Sequence, residues 1–261
     1  MPASGEAVEL SRLLFLSVPE HELLLVDGRL RIYEAQGYRW LTTGNAVQTA
    51  MRLERPYELC LANHRAMTLA VLLAGGGGDC TAVLDLGAGG GGFLRHCRHF
   101  LPAAELVAVE RDPLMIEIAR EYFALPATQS IHLESADQFL RRDQYCYDLV
   151  LCDLFDGREA PAFLDGAGFF PALQDRLNPG GAIALNTLPS SEEQLLSILR
   201  AARAVFQGIA LLQFTDLGNI VLIMQREAIP DAATLADRLA GSVYARDPWL
   251  ESTLAAVHRI D

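Results

Sequence analysis

The chain has 261 residues, 51% of them hydrophobic, and its 33 acidic against 21 basic side chains give a formal net charge of -12. That length and apolar content suit one α/β domain with a small appendage, and the lack of a basic stretch able to neutralise several phosphates excludes nucleic acid as the expected partner. No apolar run reaches the ~18 to 20 residues that span a bilayer, and no basic segment precedes an apolar run at the amino terminus, so a cytoplasmic protein without a membrane partner is expected.

In chain order, the first elements read as short strands separated by turn residues: His21 to Val26, Asp27-Gly28, Arg29 to Ala35, Gln36-Gly37, and Tyr38 to Thr42. Asp-Gly between apolar runs is a hairpin signal, so residues 1–55 are expected to form a small antiparallel unit. Pro56 is suited to open a helix, with Leu59, Met67, Ala70, Val71 and Leu72 as its apolar face, ending in a four-glycine hinge at Gly75 to Gly78. Residues 56–78 are thus a connecting helix and hinge.

From residue 79 apolar strand candidates alternate with helical segments, the pattern of a parallel sheet covered on both faces. The strands are Ala82 to Leu86, Leu106 to Val109, Ile131 to Leu133, Asp148 to Cys152 and Ala182 to Leu185. Two more, Ile209 to Phe214 and Asn219 to Met224, are joined by a link too short for a crossover and must pair antiparallel. The expected fold is therefore a Rossmann-like α/β sheet over residues 79–228 ending in an antiparallel hairpin. A helical tail over 229–261, broken at Asp247-Pro248, follows.

Asp85-Leu86-Gly87-Ala88-Gly89-Gly90-Gly91-Gly92 lies between a strand and a helix, where glycine lets a ligand approach the backbone. The next strand ends at Glu110, about 20 residues on, where a carboxylate can accept both hydrogens of a ribose diol. Gly87-x-Gly89-x-x-Gly92 also satisfies the dinucleotide fingerprint, and a nicotinamide enzyme would place an acid at Glu110 too. Asp85, two residues before Gly87, and the terminal hairpin instead favour an S-adenosyl nucleoside, a discrimination by fold analogy. After the third strand come Ala136 and Asp137. Asp137 is read either as a partner for the adenine amine or as an acid stabilised by a helix N-terminus.

The fourth strand ends in Cys152-Asp153-Leu154-Phe155-Asp156, which places two carboxylates at the sheet edge where ligands of open α/β sheets bind. Such a pair can hold a cationic amine, and one of the two can take its proton as the nitrogen attacks carbon. The acidic balance of the chain suits a cationic substrate. The five cysteines and six histidines show no metal spacing, and the thiols are read as reduced core residues.

Over roughly Asp27 to Gln225 the chain resembles the spermidine synthase family of aminopropyltransferases. The resemblance is carried by Leu86 to Arg95, Val109-Glu110-Arg111-Asp112-Pro113, Tyr147-Asp148-Leu149-Val150, Leu177-Asn178-Pro179-Gly180-Gly181, the Asp153-x-x-Asp156 pair, Val47-Gln48 and His64. It implies a dimer built partly through the N-terminal hairpins and decarboxylated S-adenosylmethionine as donor. It also implies that Gln48 and Glu110 hold the nucleoside, that Asp153 deprotonates a small-molecule amine, and that Asp156 and His64 line the amine pocket; Asp85, Gly87, Gly89, Ala136 and Asp137 complete the expected nucleoside site from the motifs themselves. Where the family's loop carries an aspartate, this chain has Gly90. An S-adenosylmethionine-dependent methyltransferase, with Gly90 making room for the methionine carboxylate, and a non-catalytic nucleoside-binding homologue are the alternatives.

Overall fold

The computed structural model describes residues 22–44, 46–74, 80–155, 164, 168–214 and 218–260. Its first sheet has four antiparallel strands in sequence order: β1 (Glu22–Asp27), β2 (Leu30–Ala35), β3 (Tyr38–Thr43) and β4 (Ala46–Arg52). The fourth strand goes beyond the three expected. Its segment mixes small and polar residues, and pairing with β3 rather than its own periodicity makes it a strand. Leu41 faces Thr49 while Thr42 faces Val47, so Gln48 is the extra residue of a β-bulge.

The expected helix at Pro56 begins later, as α1 (Ala62–Met67), and runs on into a 3-10 turn at Thr68–Leu72. The reason lies in α2 (Gly92–Phe100), whose Arg95 Nε donates to Pro56 O at 2.8 Å and whose His96 Nδ1 donates to Tyr57 O at 3.0 Å. Carbonyls drawn into those side-chain bonds are not available to a first helical turn. The four-glycine hinge lies outside the described residues, and so does most of the link between the last two expected strands.

The large sheet contains β5 (Ala82–Leu86), β6 (Glu105–Glu110), β7 (His132–Leu133), β8 (Tyr147–Asp153), β9 (Leu177–Thr187), β10 (Gly208–Gln213), β11 (Ile220–Gln225) and β12 (His258–Ile260), in the order β12-β10-β11-β9-β8-β5-β6-β7. The strands from β9 to β7 are parallel, and β10 and β11 form the expected antiparallel hairpin, with β11 antiparallel to β9. The intervening helices are α3 (Pro113–Tyr122), α4 (Ala136–Arg142), α5 (Phe169–Asp175), α6 (Glu192–Arg203), α7 (Ala232–Gly241) and α8 (Pro248–Leu254). The tail is helical in α7 and α8 as expected, but its last described residues add β12 to β10. The break comes before Pro248, and Asp247 caps α8 by accepting from the amides of Trp249 and Leu250.

Both faces of this sheet are buried, which is why its central strands read as continuous apolar runs rather than alternating ones. Leu149 and Leu151 point to a core that includes Met67, Leu69, Phe93, Leu235, Leu239 and Tyr244. Val150 and Cys152 point to the other core, with Phe139, Phe170, Leu173 and Ile198. The small sheet packs Ile32, Leu41 and Met51 against Ile118 and Phe123 beside α3, and Arg39 Nη1 donates to Tyr122 O at 2.6 Å at that helix's end. All five cysteines are free; Cys80, Cys97 and Cys152 are buried as expected, Cys60 is partly buried, and Cys146 is exposed on the surface. Among the described residues no helix is long and apolar enough to cross a membrane.

Candidate active site

The loop between β5 and α2 is tied down from three sides. The amides of Gly87 and Ala88 donate to Val109 O at 2.9 and 3.0 Å. Glu110, buried at the end of β6, accepts from Gly89 N through Oε2 and from Asp112 N through Oε1, each at 2.9 Å. Arg95 reaches back from α2 and donates through Nη1 to Gly90 O and Phe123 O, both at 2.6 Å. Burial pushes the Arg95 guanidinium down to about 10, and it meets backbone carbonyls at each of these positions.

Gly87 has φ +87°, and a Cβ built there would lie 2.4 Å from the backbone oxygen of Asp153. The loop and the end of β8 therefore meet at backbone distance, as only glycine allows. At Gly90 a Cβ would lie 2.4 Å from Thr49 Cγ2 and 2.7 Å from Thr49 Oγ1. The buried Thr49 of β4 therefore fills the space that a side chain at position 90 would enter.

Asp85 lies in β5 directly behind this loop, 1% exposed. Neither of its carboxylate oxygens has a hydrogen-bond partner. Burial, and then the nearby charges of Asp153 and Glu110, hold its carboxyl well above the usual carboxylate range. An orphaned buried carboxyl is costly, and its position behind a glycine cradle fits a ligand that brings polar or cationic groups.

Asp153, the last residue of β8, is gripped on both oxygens. Asn186 Nδ2 donates to Oδ1 at 2.7 Å, and His64 Nε2 lies 2.8 Å from Oδ2. His64 comes from α1, and its ring sits 5.1 Å from that of Phe93 on α2. Asn186 in turn accepts from Asn219 Nδ2 at 3.1 Å. The Cys152 thiol, buried on the opposite face, is raised well above its ordinary value by burial, Asp153 and Asp85.

The structure thus brings Asp85, Gly87, Gly89, Glu110, Asp153 and His64 together at one sheet edge. Gln48 is at the bulge next to Thr49. Ala136 and Asp137 open α4, one strand further along. They are joined to Glu110 through the pairing of Glu110 with Leu133 and the bond from Glu134 N to Glu110 O. Asp137 accepts from Ser135 Oγ at 2.7 Å and pairs with Arg141. Asp156 lies outside the described residues.

Three contributors escaped the sequence reading: Asn186, Asn219 and Thr49. Asn186 carried a signal, since an amide at the carboxyl end of Ala182-Ile183-Ala184-Leu185 has no packing reason to be there. Among the described residues no group of three His, Cys, Asp or Glu side chains is placed to hold a metal ion.

Comparison with known proteins agrees with this fold. The family described as "Methyltransferase domain" matches residues 83–181. A polyamine aminopropyltransferase of Chromobacterium violaceum is 29% identical over 76% of this chain and 77% of its own length. An "eEF1A lysine and N-terminal methyltransferase" of Xenopus laevis is 26% identical over 67% of this chain and 27% of its own. The crystal structure of a probable spermidine synthase from Corynebacterium glutamicum superposes with a TM-score of 0.69 at 17% identity, covering 91% of this chain and 89% of that one. By sequence the chain is similar to polyamine aminopropyltransferases, and its fold is that of the spermidine synthase and S-adenosylmethionine methyltransferase structures.

Proposed function

We propose that the protein transfers an aminopropyl group from decarboxylated S-adenosylmethionine to a small-molecule amine. The observation that carries this reading is Asp153: a carboxylate held on both oxygens, at the sheet edge, against the backbone of Gly87. The relatives named polyamine aminopropyltransferase support it.

In this reading the nucleoside lies across the glycine loop, with Gly87 and Glu110 at its ribose and Gln48, Asp85 and Gly89 around it. Each Glu110 oxygen already accepts one backbone amide and keeps a lone pair for a hydroxyl. Ala136 and Asp137 border the adenine. The acceptor amine attacks the methylene carbon beside the sulfonium, the carbon–sulfur bond breaks, and methylthioadenosine leaves. Asp153 takes the proton that the nitrogen loses, with His64 and Asp156 at the amine. Orientation of amine and methylene supplies most of the acceleration.

The test is incubation with decarboxylated S-adenosylmethionine and a panel of diamines, scored for methylthioadenosine by chromatography. Absence of product with every amine would refute the proposal.

Methyl transfer from S-adenosylmethionine is the second reading, favoured by the Xenopus laevis relative and by the missing loop acid at Gly90. Against it, the missing acid leaves little free room, since a Cβ at Gly90 would already lie 2.4 Å from Thr49 Cγ2. Calorimetric titration separates the two, since preference for the decarboxylated nucleoside excludes the methyltransferase.

A further inference from the structure

Asn186 is buried to 1% exposure in a strand segment whose other side chains are Ala182, Ile183, Ala184 and Leu185. A primary amide in such a place costs about 1 to 3 kcal/mol unless its donor and acceptor are both used. Both are used, in one direction. Asn219 donates to Asn186 Oδ1, and Asn186 Nδ2 donates to Asp153 Oδ1.

The chain of bonds fixes which end of each amide faces which neighbour. Asn219 lies just before β11, whose first residue Ile220 pairs with Thr187, so backbone register brings the two amides together. Asn186 itself stands opposite Asp153 in the parallel pairing of β8 and β9. Asp153 Oδ1 therefore meets an amide donor. The other oxygen meets His64.

We propose that Asn186, itself oriented by Asn219, is a positioning residue that holds the Asp153 carboxylate in the plane and rotamer needed to accept the amine's proton. The proposal rests on the reading of Asp153 as the base. An amide suits the task because it donates without adding charge to a site that already holds Asp85, Glu110 and Asp153. The titratable groups beside Asp153 include His64 from α1 and Asp85 from β5, while the Cys152 thiol of β8 lies on the opposite face.

Two substitutions test it. Asn186→Leu keeps the volume and deletes the donor. It should lower kcat at least tenfold, with KM for both substrates within twofold of the wild-type value and an unchanged melting temperature for nucleoside-bound protein. Asn186→Asp places a second carboxylate at the 2.7 Å contact; two such groups share a proton, so the acidic limb of the kcat/KM profile should move up by a pH unit or more. A role confined to packing predicts no such movement, and an Asn186→Asp profile that overlays the wild type overturns the proposal.

A readout independent of turnover is the His64 Nε2–H proton resonance in 15N-histidine-labelled protein, identified by its loss in Asp153→Asn. Release of the carboxylate in Asn186→Leu should shift or broaden it. Should the wild-type enzyme form no methylthioadenosine, the aminopropyl reading fails while this resonance still decides the positioning role. An unchanged resonance in Asn186→Leu overturns that role.

Discussion

Replacing Asp85 with asparagine keeps the size of the side chain and removes its charge. The native carboxyl, held well above the usual range by burial and then by Asp153 and Glu110, keeps a proton that the unfolded chain gives up above about pH 4. Between the unfolded and native values folding takes up that proton, so stability falls by about 1.4 kcal/mol for each pH unit of rise inside the window. Asparagine escapes this loss. The two proteins should therefore melt together near pH 4 and separate as pH rises, the variant gaining about 3 to 6 °C per pH unit at the ~2 to 4 °C per kcal/mol expected of a chain this size. The buried His96 has the opposite slope: its imidazole is pushed down to about 4 by burial, so its contribution is lost as pH falls from about 6.5 towards that value. His96 is common to both proteins and cancels in their difference. Scanning calorimetry of the two from pH 4 to 8 is the assay, and parallel melting curves would refute the account of Asp85 as a buried, protonated acid.

Three further substitutions follow from the site. Asp153→Asn should lower kcat by about 10²- to 10⁴-fold, the usual worth of a general base, with nucleoside affinity by calorimetry unchanged; full activity would remove Asp153 from the mechanism. Glu110→Gln weakens two charge-assisted bonds that hold the loop, and bonds to charged groups are worth about 1.5 to 3 kcal/mol each, so the nucleoside Kd should rise at least tenfold. Gly87→Ala must fit a methyl group 2.4 Å from Asp153 O at φ +87°. A loss of about 1 to 3 kcal/mol in chemical denaturation, together with lost turnover, is expected there; a wild-type melt would show that the loop and β8 are not in close contact.

The large sheet was legible because its signals are local. Apart from β7, the strands between Ala82 and Met224 contain apolar runs, and the link after Phe214 is too short for anything but a hairpin. What escaped depends on partners distant in sequence. β4 and β12 become strands by pairing with β3 and β10, and the helix after Pro56 starts late because Arg95 and His96 take carbonyls some 39 residues away.

The site divides along the same line. Glycine spacing and strand-end acids mark Gly87, Gly89, Glu110 and Asp153 in the sequence, since each is placed by the element that carries it. Asn186, Asn219 and Thr49 act on residues of other strands or loops, and no motif joins them to the side chains they serve. Gly90 shows the consequence most clearly. The sequence reads it as a vacancy left by a missing acid, whereas the fold sets the β4 bulge beside it and turns Thr49 onto it. In the proposed reading, selectivity at the amine end of the donor is therefore expected to depend on two positions, 49 and 90. The single substitution Gly90→Asp has to displace Thr49 before it can restore a carboxylate, so its effect is expected to depend on whether position 49 carries threonine or alanine. Equal donor affinities for Gly90→Asp in both backgrounds would refute that coupling.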